Sequence, residues 1–169
     1  MRLVVQRVRS ATVRSGDELL GEIGGGALVL TGIGVDDTLE IVDRMADKLL
    51  GLRYFEDDTS RTNLAIADVG GSFLVVSQFT LHADVSRGRR PGFTRAALPD
   101  VASPMVDRFV QRLREAGPRV ETGRFGADMA VELVNDGPFT LVLDSERDLG
   151  GSGQPATDTV PGHNDARVG

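Results

Sequence analysis

The chain has 169 residues, of which 40% are hydrophobic and 26% are charged, values typical of one globular domain. Cysteine is absent, which excludes disulfides, thiolate catalysis and cysteine-ligated metal sites. The formal net charge of −6 argues against indiscriminate binding to DNA or to other phosphate backbones, so a nucleic-acid partner would need a local basic patch.

The N-terminal part alternates apolar and polar residues. Residues 1–34 alternate, pause at residues 15–17 and resume, which predicts a hairpin followed by a buried strand over residues 27–33. A helical stripe follows, with Asp37 as its expected N-cap. The apolar residues of this stripe are Ile41, Val42, Met45, Ala46 and Leu49.

The middle of the chain predicts two strands and a loop. Strands are expected over residues 53–56 and within residues 71–81, where residues 73–76 are apolar without interruption. Residues 82–97 are predicted to form a loop. No run of 18 or more apolar residues and no cleavable leader is found, so we expect no membrane association and a cytoplasmic location.

A second helix is predicted in "SPMVDRFVQRLREAG". Ser103 is its expected N-cap, Pro104 occupies the first helical position, and residues 117–118 end it. Its apolar face consists of Val106, Phe109, Val110 and Leu113.

The C-terminal part predicts strands over residues 119–121 and 129–134, which lead into "VNDGPFTLVLD" at residues 134–144. Gly137 and Pro138 interrupt this last strand, and such a pair marks a turn, a bulge or a close backbone approach. After residue 144 the composition is rich in glycine, proline and small polar residues. We therefore predict one domain over residues 1–144 and a mobile tail over residues 145–169.

Polar side chains follow the apolar run at residues 73–76. Ser77, Gln78 and Thr80 lie at the junction between the end of this strand and a loop. Side chains and unpaired backbone amides are available at such junctions, and binding pockets commonly form there. On composition alone, the favoured interpretation is that Ser77 and Thr80 only cap the turn. His82 and Asp84 are too few to indicate a metal site, and no phosphate-binding glycine pattern is complete, so we predict no metal and no cofactor.

The segment at residues 86–95, called here the arginine loop, contains four arginines and no acidic residue. Arg87, Arg89 and Arg90 precede Phe93 and Arg95 follows it, and arginine beside an aromatic ring suits contact with phosphate and stacking on bases. A solvated run of charge would look much the same.

Two motifs carry a resemblance to a known family. "SQFTL" at residues 77–81 and "NDGPFT" at residues 135–140 are similar to the two signature motifs of the D-aminoacyl-tRNA deacylases. The resemblance implies a small α/β domain of antiparallel sheets curled toward a barrel, with two main helices, working as a homodimer. It also implies hydrolysis of the ester between a D-amino acid, or glycine mischarged on tRNA(Ala), and the 3′ end of tRNA.

The resemblance also implies roles for individual residues. The bond between Gly137 and Pro138 is expected to be cis, and this pair is expected to enter the active site of the partner subunit and exclude L-amino acids. Arg7 would hold the pair in place, while Phe125 and Met129 would contact the terminal adenosine and the pocket floor.

The resemblance leaves the attacking group open. Thr80 resembles a residue proposed as a nucleophile, but no base is evident to activate it. We prefer water, helped by the 2′-hydroxyl of the substrate, with the amides around Phe79 and Thr80 stabilising the oxyanion and with Ser77 and Gln78 positioning the ester.

Two other functions remain open from the sequence. The chain could be a non-catalytic module that binds tRNA ends or dimerises, or an editing hydrolase that removes an L-amino acid. The intact motif residues argue against the first, and a Gly137–Pro138 wall argues against the second.

Overall fold

The computed structural model describes residues 1–86 and 88–150, and the predicted contribution of Arg87 and the predicted tail over residues 151–169 lie outside this range. The described strands are β1 (Arg2–Ser15), β2 (Glu18–Ile23), β3 (Gly26–Gly32), β4 (Phe55–Glu56), β5 (Thr62–Leu64), β6 (Ser72–Ser77), β7 (Val120–Thr122) and β8 (Ala130–Asp144). The described α helices are α1 (Leu39–Gly51), α2 (Pro99–Glu115) and α3 (Ser145–Asp148).

A mixed sheet organises the domain around β1. One edge of β1 pairs antiparallel with β8, and the other edge pairs antiparallel with β3 and then with β2. The expected antiparallel sheet is wrong in one respect, because β3–β6 and β6–β7 are parallel pairs. The long connections that contain α1 and α2 return the chain in the same direction, as parallel pairing requires.

The sheet curls until it nearly closes into a barrel. At Gly21 of β2, an added Cβ would lie 3.0 Å from the Thr122 carbonyl oxygen of β7 and 3.1 Å from Leu74 of β6. Because β2 and β7 come from opposite ends of the strand order, this approach is what brings the two ends of the sheet together. The predicted α/β barrel-like class is confirmed.

Alternation along the central strands divides the apolar residues into two layers. Val29 and Val75 face a core covered by α1 and α2, whereas Leu28, Leu74 and Val76 face the inside of the curled sheet. The apolar runs predicted for these two strands therefore serve two cores, and the parallel pairing of β3 with β6 places the ends of both strands at the same edge.

Both long helices begin at residues other than those predicted. Thr38, not Asp37, caps α1 and accepts from the amide of Ile41 at 3.3 Å. α2 begins at Pro99, and Pro104 lies inside it. Pro99 supplies the preset φ of a first helical position, so the Ser103–Pro104 signal falls one turn and a half inside a helix that has already started.

The C-terminal boundary also differs from the prediction. β8 is one strand of 15 residues and does not break after residue 134. Ser145 begins α3 and is buried, with its amide donating to the Met1 carbonyl at 2.9 Å. The tail predicted from residue 145 is therefore wrong for residues 145–148, because tertiary contacts order a segment that has little to bury by itself. Among the described residues, no helix is long and apolar enough to cross a membrane.

Candidate active site

The end of β6 passes directly into a 3₁₀ turn, Phe79–His82. The Gln78 amide donates to the Thr31 carbonyl of β3 at 2.7 Å, which fixes where the turn begins. Among the described residues, the amides of Phe79 and Thr80 donate to no carbonyl, as is usual at a helix start. Two free N–H groups at a rigid strand end are suited to hold a developing oxyanion.

The Thr80 hydroxyl accepts a hydrogen bond from the side-chain amide of Gln78. His82 is the nearest imidazole in sequence, but it is buried, and its Nε2 atom has no partner among the described residues. A hydroxyl that accepts from an amide and has no base beside it is not activated for attack.

The 3₁₀ turn is fixed tightly against β3. At Gly32 an added Cβ would lie 2.9 Å from the Gln78 carbonyl oxygen and 3.0 Å from the Leu81 Cβ. Arg2 donates to the Leu81 carbonyl at 2.9 Å. These contacts make the turn a rigid support for the free amides.

Burial is the main reason that the pKa of His82, the last residue of the turn, lies below its ordinary value.

A cleft of about 670 Å³ opens at this strand end, within the usual size of small-molecule sites. Its lining brings together Ser77, Gln78 and Phe79 with Phe125 and Met129, which are distant in the sequence. The first turn of α2 forms another wall. Together with this turn, Leu98 before the helix and Val106 farther along it line the cleft. Sequence reasoning gave α2 no part in the site, because its lining residues are apolar and carry no chemical signal.

Gly137 and Pro138 lie in β8, where the register against β1 shifts on both sides of Val8. Of the three alternatives left open by the sequence, the bulge is therefore present. The peptide bond between the two residues is cis, and Gly137 has a φ of +133°. Asn135 spans the bulge by accepting from the Phe139 amide at 2.8 Å and donating to its carbonyl at 3.2 Å.

The buried Arg7 side chain supports this bulge. Its guanidinium donates to the carbonyls of Asp136 at 3.1 Å and Tyr54 at 2.9 Å, and it also contacts Glu56 at 3.2 Å. The guanidinium carbon lies 5.1 Å from the Phe139 ring centroid. Sequence reasoning missed Tyr54 and Glu56, which contact Arg7 only through tertiary structure.

Within one chain, Gly137 and Arg7 line a second cleft of about 470 Å³. This cleft shares no lining residue with the cleft at the β6 end. The structure therefore brings together Ser77 with Phe125, and Arg7 with Gly137, but it does not bring these two groups together in a single subunit.

The arginine loop leaves Arg89 and Arg90 exposed. Its base is closed by reciprocal backbone bonds between Asp84 and Gly92, at 2.7 and 2.9 Å. Arg95 is drawn toward Glu146, with 3.4 Å between the charged groups.

A barrel-like α/β domain with an apolar cleft that ends at free main-chain amides has the arrangement of an acyl-ester hydrolase. The chain belongs to the D-Tyr-tRNA(Tyr) deacylase family, whose sequence model matches residues 4–144. The family resemblance drawn from the two motifs is thereby confirmed.

Relatives and solved structures agree with this assignment. A D-aminoacyl-tRNA deacylase of Symbiobacterium thermophilum is 54% identical over 147 residues, covering 87% of this chain and 97% of the relative. One of Chlorobaculum parvum is 56% identical over 148 residues, with coverages of 87% and 99%.

Two solved structures share the fold. One, titled c-Myc DNA Unwinding Element Binding Protein, has a TM-score of 0.81 at 39% identity and covers 85% of this chain and 98% of its own. Another, described as a probable eukaryotic D-amino acid tRNA deacylase, has a TM-score of 0.73 at 21% identity, with coverages of 84% and 97%.

Proposed function

We propose that this protein hydrolyses the ester of D-aminoacyl-tRNA and releases the free D-amino acid and tRNA. The observation that carries this function is the cleft lined by Ser77, Gln78 and Phe79, where the amides of Phe79 and of the next residue, Thr80, donate to no carbonyl among the described residues. Membership in the deacylase family and the names of relatives that are 54% and 56% identical support the same reaction. We extend the substrate to glycyl-tRNA mischarged on tRNA(Ala), because glycine also lacks an L side chain.

Water is the attacking group in this proposal. The 2′-hydroxyl of the substrate orients the water, whose oxygen adds to the ester carbon to give a tetrahedral intermediate. The bond to the ribose 3′-oxygen breaks when the carbonyl forms again. The Phe79 and Thr80 amides hold the negative charge on the carbonyl oxygen, and the proton from water passes to the leaving 3′-oxygen. Ser77 and Gln78 position the ester. The Thr80 hydroxyl oxygen accepts a hydrogen bond from the Gln78 side-chain amide.

The terminal adenosine occupies the apolar part of the main cleft. Phe125 and Met129 form one wall and the first turn of α2 forms another. Within the described residues, this lining contains no lysine or arginine, which suits an uncharged base and ribose.

The site is completed by a second copy of the chain in a homodimer. Gly137 and Pro138 are both exposed and lie outside the main cleft of their own subunit, and we place them in the cleft of the partner. Arg7 and Asn135 hold the backbone there on both sides. This rigid main-chain wall leaves room for a hydrogen atom on one side of the substrate's Cα but not for the side chain of an L-amino acid. Discrimination between D- and L-amino acids therefore depends on the stiffness of the wall.

The arginine loop contacts the acceptor end of tRNA. Arg89 and Arg90 are exposed and precede Phe93, which lines the cleft, and we assign Arg87 the same role from the sequence. Because aminoacyl-tRNA is made and used in the cytoplasm, we place the reaction there.

One assay tests this function. The protein is incubated with tRNA charged with D-tyrosine or with L-tyrosine, and loss of each ester is followed against a protein-free control. We expect accelerated loss of the D-ester only. Loss of neither ester would favour a non-catalytic tRNA-end binding module, and accelerated loss of the L-ester would favour the L-specific editing hydrolase.

A further inference from the structure

Two exposed aromatic rings stand side by side in the main cleft without a part in the ester chemistry. Phe79 is 57% exposed and Phe93 is 39% exposed. Their ring centroids are 5.0 Å apart at an interplanar angle of 70°, and both rings line the cleft. Adjacent exposed aromatic rings are a feature of interaction sites.

The Phe93 ring is presented from a backbone fixed on both sides. On one side Gly92 exchanges two backbone bonds with Asp84, and on the other the Ala96 amide donates to the Phe93 carbonyl at 3.0 Å. A ring held in this way loses little conformational freedom when a flat ligand stacks on it.

The two aromatic walls of the cleft differ in the charged residues beside them. On the wall that contains Phe125, Asp128 lines the cleft and Arg124 is already paired with Glu18 at 2.6 Å. A phosphate leaving the cleft on this side would meet a carboxylate and a neutralised arginine.

The wall that contains Phe93 is different. Arg89 and Arg90 precede Phe93 in the arginine loop, and within the described residues neither forms an ion pair with a carboxylate. A polyanion whose last, uncharged nucleoside lies in the cleft therefore leaves it most favourably past Phe93.

We propose that Phe79 and Phe93 form a second base-stacking subsite, which takes the base of the nucleotide preceding the terminal adenosine, a cytidine in tRNA. Arg89 and Arg90 contact the phosphate beside that base. This subsite rests on the proposed function, because the adenosine ester must occupy the cleft next to Phe79. Stacking on aromatic rings tolerates any base. The subsite therefore requires a preceding nucleotide of whatever base, and it favours a tRNA end over a free aminoacyl-adenosine.

The test compares two small substrates, the D-tyrosyl ester of adenosine and the D-tyrosyl ester of cytidylyl-(3′→5′)-adenosine. We expect kcat/KM for the dinucleotide ester to exceed that for the adenosine ester by roughly 5- to 150-fold, the range for one stacked base. Phe93→Leu should lower this ratio several-fold and leave only the part that the phosphate contributes, and Phe93→Tyr should preserve the ratio, because tyrosine keeps the stacking face. Phe79→Leu should also lower the ratio.

Val85→Ala is the matched control. Val85 is 71% exposed, is close to the arginine loop and does not line the cleft, so its truncation should leave the ratio unchanged. A ratio near one in the unmodified protein would overturn the subsite, as would equal losses in Phe93→Leu and Phe93→Tyr. Hydrolysis of D-tyrosyl-tRNA with a ratio of one would overturn only the subsite, whereas failure to hydrolyse D-tyrosyl-tRNA at all would overturn the proposed function.

Discussion

Arg7 donates to the backbone carbonyl of Asp136, the residue immediately before Gly137, at 3.1 Å. The arginine is 6% exposed, so this bond ties the Gly137 bulge of β8 to the interior of the domain. A buried guanidinium with acceptors on three sides makes the bulge a rigid feature of the main chain.

Replacing Arg7 by glutamine should loosen this bulge. We expect a loss of about 1–3 kcal/mol in the free energy of unfolding, because charge-assisted bonds to two carbonyls are removed. The ratio of D-ester to L-ester hydrolysis should fall as well. Chemical denaturation and deacylation assays measure the two effects, with Arg9→Gln as control. Arg9 also contacts Asp136 but has a 75% exposed side chain, so its loss should cost less than about 1 kcal/mol. Equal effects of both variants would contradict the role of Arg7.

Adding one methyl group at Gly137 should disturb the wall directly. A Cβ there would lie 2.9 Å from the Phe139 nitrogen and 3.3 Å from an Arg7 guanidinium nitrogen, at a φ of +133°. Gly137→Ala should therefore lower the unfolding free energy by more than about 1 kcal/mol and reduce D-over-L selectivity. Gly24→Ala is the control, because a Cβ at Gly24 meets nothing within 4 Å. Unchanged selectivity in a folded Gly137→Ala protein would count against the wall.

Thr80→Val distinguishes attack by water from attack by the hydroxyl. If water attacks, only the hydrogen bond from Gln78 is lost, and kcat should fall by about tenfold. Removal of a true nucleophile costs on the order of a millionfold. Single-turnover rates with D-tyrosyl-tRNA measure the difference, and Thr80→Ser should retain nearly full activity. Loss of all measurable turnover in Thr80→Val would refute the water mechanism.

His82 should make stability depend on pH. Its pKa is lowered mainly by burial, with the Met1 ammonium and Arg2 adding to the shift and with a hydrogen bond to the Gly32 backbone and the charge of Asp37 opposing it. The folded state thus disfavours the imidazolium. The stabilising effect of the neutral ring is complete above the unfolded-state value of 6.5 and is lost as the pH falls through the folded pKa.

His82→Gln should consequently flatten the decline of unfolding free energy between about pH 7 and pH 5, as measured by denaturant titrations at several pH values. A decline as steep as that of the unmodified protein would assign the pH dependence to other groups.

The sequence predicted elements whose local pattern and tertiary role coincide. β6 was predicted from its uninterrupted apolar run and β3 as a buried strand, and both strands are buried on their two faces. α1 was predicted from its apolar stripe, which faces one core. The predicted start of α2 was wrong, because Ser103–Pro104 resembles a helix start but lies within a helix that begins at Pro99. α3 could not be predicted, since the contact of Ser145 with Met1 that orders it comes from the other end of the chain.

Some residues of the candidate site could likewise be predicted from the sequence, whereas other features of the site depend on tertiary packing. Ser77, Gln78 and Gly137 were identifiable from strand ends and from the resemblance. The contact between Phe79 and Phe93 and the wall formed by α2 depend on how distant segments pack. The separation of Gly137 from the main cleft within one subunit also required the structure.

The central claim is that a second copy inserts its Gly137–Pro138 backbone into the main cleft. The chain has no cysteine, so single cysteines can be introduced as unique reactive sites. Subunits carrying Asp128→Cys, at the cleft wall, are mixed with subunits carrying Asp136→Cys, beside Gly137, and treated with a short bismaleimide. The account predicts a cross-linked two-chain product in the mixture at a higher yield than with either variant alone. A mixture that gives no more cross-linked product than the separate variants would contradict it.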